Sequence, residues 1–327
     1  MPDLAITRAI PVRGQPDGTP PPAPLPGVRV RMAPALPQMS RAALLEFIRG
    51  ADVVATMFHD RVDAEFLDAA GPSLKGVCNF AVGVDNIDLA LCRSRHIVVT
   101  NTPDAVTEGT ANIALGLLLA VSRRIVEGDR FVRSGRFEHE GNTFPTGWLG
   151  MHLSGQTMLI VGAGRIGRAV ALRAAALGMR ILYASRSRHL DFEGAPLAGE
   201  RVELDAGLAR ADVVSLHTPL TPETRHLIDA RRLALLKPTA ILINTARGPV
   251  VDESALAAAL ARRSLWGAGL DVFEHEPRVH ADLLTLDNVV LLPHIGSGER
   301  FWREEMSRMV LDNAAAILQG RPAPNRL

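Results

Sequence analysis

Three glycines, Gly162, Gly164 and Gly167, stand directly behind the apolar run Met158 to Val161 and open a segment with helical spacing. That order restricts the chain locally to a strand, a tight turn and a helix. Gly162 permits the turn, Gly164 lets the backbone approach a pyrophosphate, and Gly167 lets the helix lie close to the sheet, with Arg165 and Ile166 at the helix start. The unpaired N–H groups of a helix N-terminus suit phosphate oxygens. A glycine string by itself often does no more than turn the chain. Here Ile166, Val170, Ala174 and Leu177 recur at helical spacing, Gly178 follows as a C-cap, and Arg180 to Ala184 reads as the next strand. The context therefore favours a dinucleotide site.

Apolar runs alternate with helical patterns from there onward: Met158 to Val161, Arg180 to Ala184, Asp212 to Leu216, Ala240 to Ile243, Ala268 to Val272 and Val289 to Leu292. Continuous apolar runs of this length are what strands buried on both faces require, so a doubly wound parallel α/β sheet is predicted. Upstream, strands at Leu4 to Ile6, Val28 to Met32, Val53 to Thr56, Gly76 to Cys78 and His96 to Val99, with a helix from Arg41 to Arg49, suggest a smaller α/β unit. Its proline-rich stretch, residues 11–26, cannot be helical and reads as an extended or mobile loop. Thr100 to Pro103 breaks the chain before a long helix from Thr107 to about Arg123.

With 327 residues, 47% of them hydrophobic, the chain can fill two cores. Its 36 basic and 35 acidic residues leave a net charge of +1, which offers no electrostatic footprint for nucleic acid and no membrane anchor. The longest apolar stretch, Ile113 to Val121, is far short of a membrane span. Cys78 and Cys92 read as core thiols. The N-terminal segment has no apolar h-region, and a cytoplasmic location is expected.

Ligands in such sheets bind beyond the carboxyl ends of the strands. After Ala184 come Ser185, Arg186, Ser187 and Arg188, where an NAD site usually offers an acid. A hydroxyl and guanidinium groups suit a 2′-phosphate, so NADP(H) is favoured over NAD(H), the lesser alternative being that the arginines form only a solvated turn. After Ile243 comes Asn244-Thr245-Ala246-Arg247-Gly248, after Leu270 comes Asp271 to Pro277, and after Leu292 comes Pro293 to Ser297. An arginine, a carboxylate and a histidine at successive strand ends make a candidate site. His275, Glu276 and His280 miss the spacing of H-E-x-x-H by one residue and Pro277 prevents a helix through them, so no metal is assigned.

On Asn79 to Asp88, Gly162 to Gly167, Asn244 to Glu253, Gly269 to Pro277 and Pro293 to Ser297, the chain resembles the D-isomer-specific 2-hydroxyacid dehydrogenase family from about Gly76 onward. Within it the likeness is greatest to glyoxylate/hydroxypyruvate reductases, through Asn79 to Asp88, Gly128 to Gly135 and Ser185 to Ser187. The resemblance implies catalysis by Arg247, Glu276 and His294: histidinium supplies the carbonyl proton, Glu276 orients the ring and supports its charge, and Arg247 clamps the substrate carboxylate. It places the backbone amides of Val82 and Gly83 on that carboxylate, with Arg247 and His294 also against the substrate. It further implies cofactor contacts at Thr110, His217, Pro219, Thr245, Ala246, Arg247, Asp271, His294 and Gly296, in addition to the glycine turn and Ser185 to Ser187. His217 is equally readable as a buried loop histidine.

The implied architecture is two Rossmann-like or flavodoxin-like domains, a nucleotide-binding domain over 102–294 inserted into a substrate domain of 1–101 plus 295–327, with the chemistry in the cleft between them. The implied reaction is reduction of glyoxylate, hydroxypyruvate or a similar small 2-oxo acid to the D-hydroxy acid by a homodimer, with a bulkier 2-oxo acid as the alternative substrate and with the helix from Thr107 and the Trp148 loop as candidate dimer surface. A corepressor-like binding protein that senses NAD(H) uses the same fold and trio, and is the alternative from a different functional class. Two departures from the family stand out. The proline-rich stretch replaces the usual helix after the first strand, and Ser297-Gly298-Glu299 replaces Ser-Ala-Thr, where Glu299 is expected to cap the following helix or alter substrate preference.

Overall fold

Alternate residues of each central strand are buried on opposite faces, and this decides how the chain layers itself. The computed structural model describes residues 1–141 and 147–327. The chain divides into two units, Met1–Val106 with Ser297–Leu327, and Thr107–Gly296.

The first unit has a five-stranded sheet made of β1 (Asp3–Ile6), β2 (Arg29–Met32), β3 (Val53–Met57), β4 (Gly76–Phe80) and β5 (Val98–Thr100), in the order β2-β1-β3-β4-β5. All four pairings are parallel. Ala5, Val54 and Val77 face a core completed by Leu44, Phe66, Leu67 and Cys92, while Leu4, Ile6, Val53, Ala55 and Cys78 face Val310, Ala314 and Ile317 of the Arg300–Leu318 helix. Both faces are therefore dry, as parallel sheets require. Ser40, Asp63 and Asp88 cap the helices Arg41–Phe47, Ala64–Ala70 and Leu89–Ser94 through their side-chain oxygens. The proline-rich stretch forms neither helix nor strand. It is tied to the terminal helix instead, by Arg13 to Glu304 and Glu305 and by Asp17 to Arg300, and Arg13 lies over the ring of Phe301.

The second unit has seven parallel strands: β6 (Thr157–Val161), β7 (Arg180–Ala184), β8 (Glu200–Arg201), β9 (Val213–Leu216), β10 (Ile241–Asn244), β11 (Gly267–Leu270) and β12 (Val289–Leu291). Their order, β12-β11-β10-β9-β6-β7-β8, reverses direction between β6 and β9. Met158, Ile160, Ile181, Tyr183, Val213, Ile241 and Ile243 pack with the Thr107–Ser122 and Arg165–Ala176 helices, and Leu159, Val161, Leu182, Val214, Leu216 and Leu242 fill the opposite core. Gly267 and Gly269 let the Thr107–Ser122 helix sit close to the sheet, since a Cβ on Gly269 would come within 2.8 Å of Leu117 Cβ. That helix buries Ala111, Ala114, Leu117, Leu118 and Val121 against the unit's own core. Among the described residues no single helix is long and apolar enough to cross a membrane.

Leu117 is 1% exposed and Leu190 is 71% exposed. Leu117→Ala is expected to lower unfolding free energy by about 2–5 kcal/mol and Leu190→Ala by less than about 0.5 kcal/mol, measured by urea denaturation. Equal costs would refute this assignment of the core.

Candidate active site

Because all seven strands of the second unit are parallel, their carboxyl ends lie along one edge, and the reversal between β6 and β9 opens a crevice there. The glycine turn lies at that point. Gly162 has φ +100°, and a Cβ on it would come within 2.7 Å of the carbonyl oxygen of His217, so the loops after β6 and β9 touch through backbone alone. A Cβ on Gly167 would lie 2.3 Å from the carbonyl oxygen of Gly162, which holds the helix against the turn. Above Gly164 nothing lies within 4 Å. Gly164 is also the N-cap of the Arg165–Ala176 helix, and no side chain caps that helix. Its first-turn N–H groups are thus presented with Arg165 and Ile166 to an anion.

Nearby buried polar atoms lack partners among the described residues: His217 Nδ1, Thr218 Oγ1 and Thr245 Oγ1. His217 Nε2 pairs with Ser215 Oγ at 2.8 Å, and burial pushes the imidazole pKa down to about 3, so the ring is neutral. Pro219 is exposed beside it. Unpartnered groups of this kind, together with the open Gly164 and the uncapped helix, fit a dinucleotide running along this edge.

Ser185, Arg186 and Ser187 follow β7. Ser185 Oγ donates to the carbonyl of Ser187, and Arg188 is paired with Glu193. Arg201 on β8 donates to the carbonyls of Ser185 and Arg186 at 3.1 and 3.0 Å, fixing the loop from the neighbouring strand. Arg186 itself is exposed.

Three strand ends bring the ionisable groups together. After β10, the Asn244 side chain accepts from Ala246 N–H and donates to the Arg247 carbonyl, both at 3.0 Å, which shapes a turn presenting the half-buried Arg247. Arg247 Nη1 donates to the Ala246 carbonyl at 2.9 Å. After β11, Glu276 Oε1 accepts from Phe273 N–H at 3.0 Å, and its Oε2 receives a 2.8 Å hydrogen bond from His294 Nδ1. Glu274 is occupied elsewhere, 2.6 Å from His226 Nε2. After β12, His294 has φ +54°, an uncommon backbone state for a residue with a Cβ. Asp271 secures that turn by accepting from Ile295 N–H and Gly296 N–H, each at 2.7 Å. Burial raises the Asp271 carboxyl pKa, against the lowering effect of these N–H groups. Gly296 keeps the backbone close to Asp271 and Thr110, which is buried on the Thr107–Ser122 helix.

Two residues that tie these loops were not singled out in the sequence. Gly248 has no room for a side chain, since a Cβ would lie 1.9 Å from the Phe273 carbonyl, so the loops bearing Arg247 and Glu276 meet backbone to backbone. The buried Glu253 accepts from Glu274 N–H at 2.6 Å and His280 N–H at 2.7 Å, pinning both ends of the segment around Glu276. An acid in the first turn of a helix, here Glu253–Ala261, ordinarily reads as a dipole partner, which hides this role. Glu299 stands at the N-cap of the terminal helix, but its side chain makes no capping hydrogen bond to that helix. The capping role expected for it is therefore corrected.

In the first unit, Val82 and Gly83 lie in the loop after β4. The N–H groups of Val82, Gly83 and Val84 donate to no acceptor of the chain among the described residues.

Comparison with known proteins agrees with this geometry. Residues 115–296 match the family model described as D-isomer specific 2-hydroxyacid dehydrogenase, NAD binding domain. A glyoxylate reductase of Thermococcus onnurineus is 50% identical over 288 residues, 88% of this chain and 86% of its own length. Among solved structures, a glyoxylate reductase from Paecilomyes thermophila superposes with a TM-score of 0.83 at 31% identity, covering 100% of this chain and 98% of its own. An NADPH-dependent glyoxylate/hydroxypyruvate reductase from Sinorhizobium meliloti, in complex with NADP and malonate, gives 0.81 at 33% identity over 100% and 96%.

Glu253→Ala leaves two N–H groups without an acceptor and is expected to cost roughly 2 kcal/mol or more in chemical denaturation, with Glu253→Gln, which retains one acceptor oxygen, losing less. An alanine variant as stable as the parent would remove Glu253 from this role.

Proposed function

Because the chain belongs to the D-isomer-specific 2-hydroxyacid dehydrogenase family, we propose that this NAD(P)-dependent oxidoreductase reduces glyoxylate and hydroxypyruvate to their hydroxy acids, with NADPH preferred. The observation that carries the chemistry is the hydrogen-bonded His294–Glu276 pair beside Arg247 on adjacent strand ends. The relatives named glyoxylate reductase support the substrate, and the NADPH-dependent neighbour with Ser185, Arg186 and Ser187 supports the cofactor.

A carboxylate only accepts hydrogen bonds, so the Nδ1 facing Glu276 carries a proton and Nε2 is left to give one to the substrate oxygen, or to take it back in reverse. Glu276 stabilises the charged ring while that transfer is pending and fixes its direction. Arg247 offers a planar fork to the substrate carboxylate and carbonyl, holding the reacting carbon in place. The N–H groups of Val82 and Gly83 supply further donors to the carboxylate. A nicotinamide cofactor, when bound, supplies the hydride. Gly162, Gly164, Arg165, Ile166 and Gly167 would hold its pyrophosphate and Ser185 to Ser187 its 2′-phosphate. His217, Pro219, Thr245 and Ala246 would line its path, and Thr110, Asp271 and Gly296 would lie toward the nicotinamide.

We place the protein in the cytoplasm as a homodimer. Ile125, Val132, Phe137 and Leu149 are exposed around the Ile125–Arg133 helix, and Arg124 lies 5.0 Å over the Trp148 ring beside them. This apolar surface, with the Trp148 loop and the preceding Thr107–Ser122 helix, supports pairing through that segment.

NADPH oxidation with glyoxylate is expected to exceed NADH oxidation, and Arg186→Ala is expected to narrow the gap. His294→Ala should lower kcat/KM by about 100-fold to 10,000-fold, and Gly248→Ala by roughly 100-fold through displaced loops. Cofactor affinity of the His294 variant, read by protein fluorescence without substrate, should change little by comparison. Unaltered turnover in His294→Ala would dismiss the mechanism, and an NADH preference would dismiss the cofactor assignment.

A further inference from the structure

Peptide units are planar and trans, so a carbonyl held on one side directs the N–H of the same unit to the other. After β4, three successive carbonyls are held by the chain's own donors. Ala81 accepts from Thr102 N–H at 3.0 Å, Val82 from Asn101 Nδ2 at 2.9 Å, and Gly83 from Asn79 Nδ2 at 2.8 Å. The N–H groups sharing those three units belong to Val82, Gly83 and Val84, the same three that find no acceptor among the described residues.

Chemistry fixes the orientation of both side-chain amides. A carbonyl oxygen only accepts, so each Asn must turn its NH2 toward the loop. For Asn79 the other half agrees: its Oδ1 accepts from Thr56 Oγ1 at 3.0 Å and from Asn86 Nδ2 at 3.3 Å. Asn79 is fully buried, and Asn86 is itself anchored on the carbonyls of Met57 and Asp60 at 3.1 and 2.9 Å. The loop is thus held from beneath by the ends of β3, β4 and β5, and the donors it leaves over face away from those holders.

We infer that Asn101 and Asn79 are positioning residues that keep a row of amide donors turned toward the substrate carboxylate, and that Val84 N–H is a third member of that row beyond Val82 and Gly83. The carboxylate as ligand rests on the function proposed above; the row and its holders rest on the hydrogen bonds. Consecutive free N–H groups form an anion-binding concavity without a cationic side chain. Affinity then depends on how well the peptide planes are held, because a plane free to turn must be ordered anew at each binding event.

Asn101 is the residue to alter, being only partly buried. Asn101→Leu keeps the volume and removes the donor, whereas Asn101→Ser is smaller and retains a hydroxyl able to donate. Oxalate serves as an unreactive dicarboxylate, titrated calorimetrically into the dimeric protein with and without NADP+. The leucine variant is expected to bind oxalate about tenfold more weakly and to raise the KM for glyoxylate by a similar factor with a smaller change in kcat, and the serine variant to stay within about threefold of the parent. A purely packing role predicts the reverse order, and that order would overturn the inference. In parent protein labelled with 15N-valine and 15N-glycine, oxalate is expected to shift the amide resonances of Val82, Gly83 and Val84; an unmoved Val84 removes it from the row, even should the leucine variant fail to fold. Shifts at all three in a protein that reduces neither glyoxylate nor hydroxypyruvate would support the row while ending the proposed function. Glyoxylate reduction together with undiminished oxalate binding by the leucine variant would do the opposite.

Discussion

Every strand in both sheets runs parallel to its neighbours, and the placement of chemistry follows from that one alignment. A parallel strand must return through a crossover on one face, so all the loops that begin at carboxyl ends collect on a single edge. In the second unit this sets the glycine turn, the Ser185 loop, His217, Arg247, Glu276 and His294 along one rim with no long-range pairing required to recruit them. What remains is fine adjustment, and it is done by backbone proximity. Gly162 against His217, and Gly248 against Phe273, let adjacent loops touch where any Cβ would force them apart.

Much of this was legible in the sequence because parallel strands buried on both faces read as uninterrupted apolar runs. The runs ending at Val161, Ala184, Leu216 and Val272 coincide with strands to within a residue or two. β8 escaped notice because it is only Glu200–Arg201, exposed on both residues at the sheet edge, and carries no hydrophobic signal. The His96 to Val99 run was read as strand from its first residue, but His96 has φ +57° and pairing starts at Val98. The site was legible to the extent that its side chains sit immediately behind such runs. Contacts between distant segments were not: Asn101 reaches Val82 across 19 residues and Glu253 reaches His280 across 27, and neither distance leaves a periodic trace.

The electrostatics of the two site histidines differ for physical reasons that the sequence cannot express. His217 is shut away with a serine hydroxyl as its partner, so burial keeps it neutral, suited to hydrogen bonding rather than proton transfer. His294 is half-buried and has the Glu276 carboxylate as its partner at 2.8 Å. Two histidines at strand ends on the same edge, those of β9 and β12, are thereby given different surroundings.

The first unit is built from both ends of the chain, with the second unit, about 190 residues long, inserted between them. Leu4, Ile6, Val53, Ala55 and Cys78 are covered by Val310, Ala314 and Ile317, which follow the whole inserted unit in the sequence. At a synthesis rate of roughly 5–20 residues per second, that sheet face waits some tens of seconds for its cover, while the inserted unit has its whole sequence in hand much earlier. The inserted unit can therefore fold on contacts within its own sequence, whereas one face of the five-stranded sheet stays apolar and uncovered until the Arg300–Leu318 helix has been made.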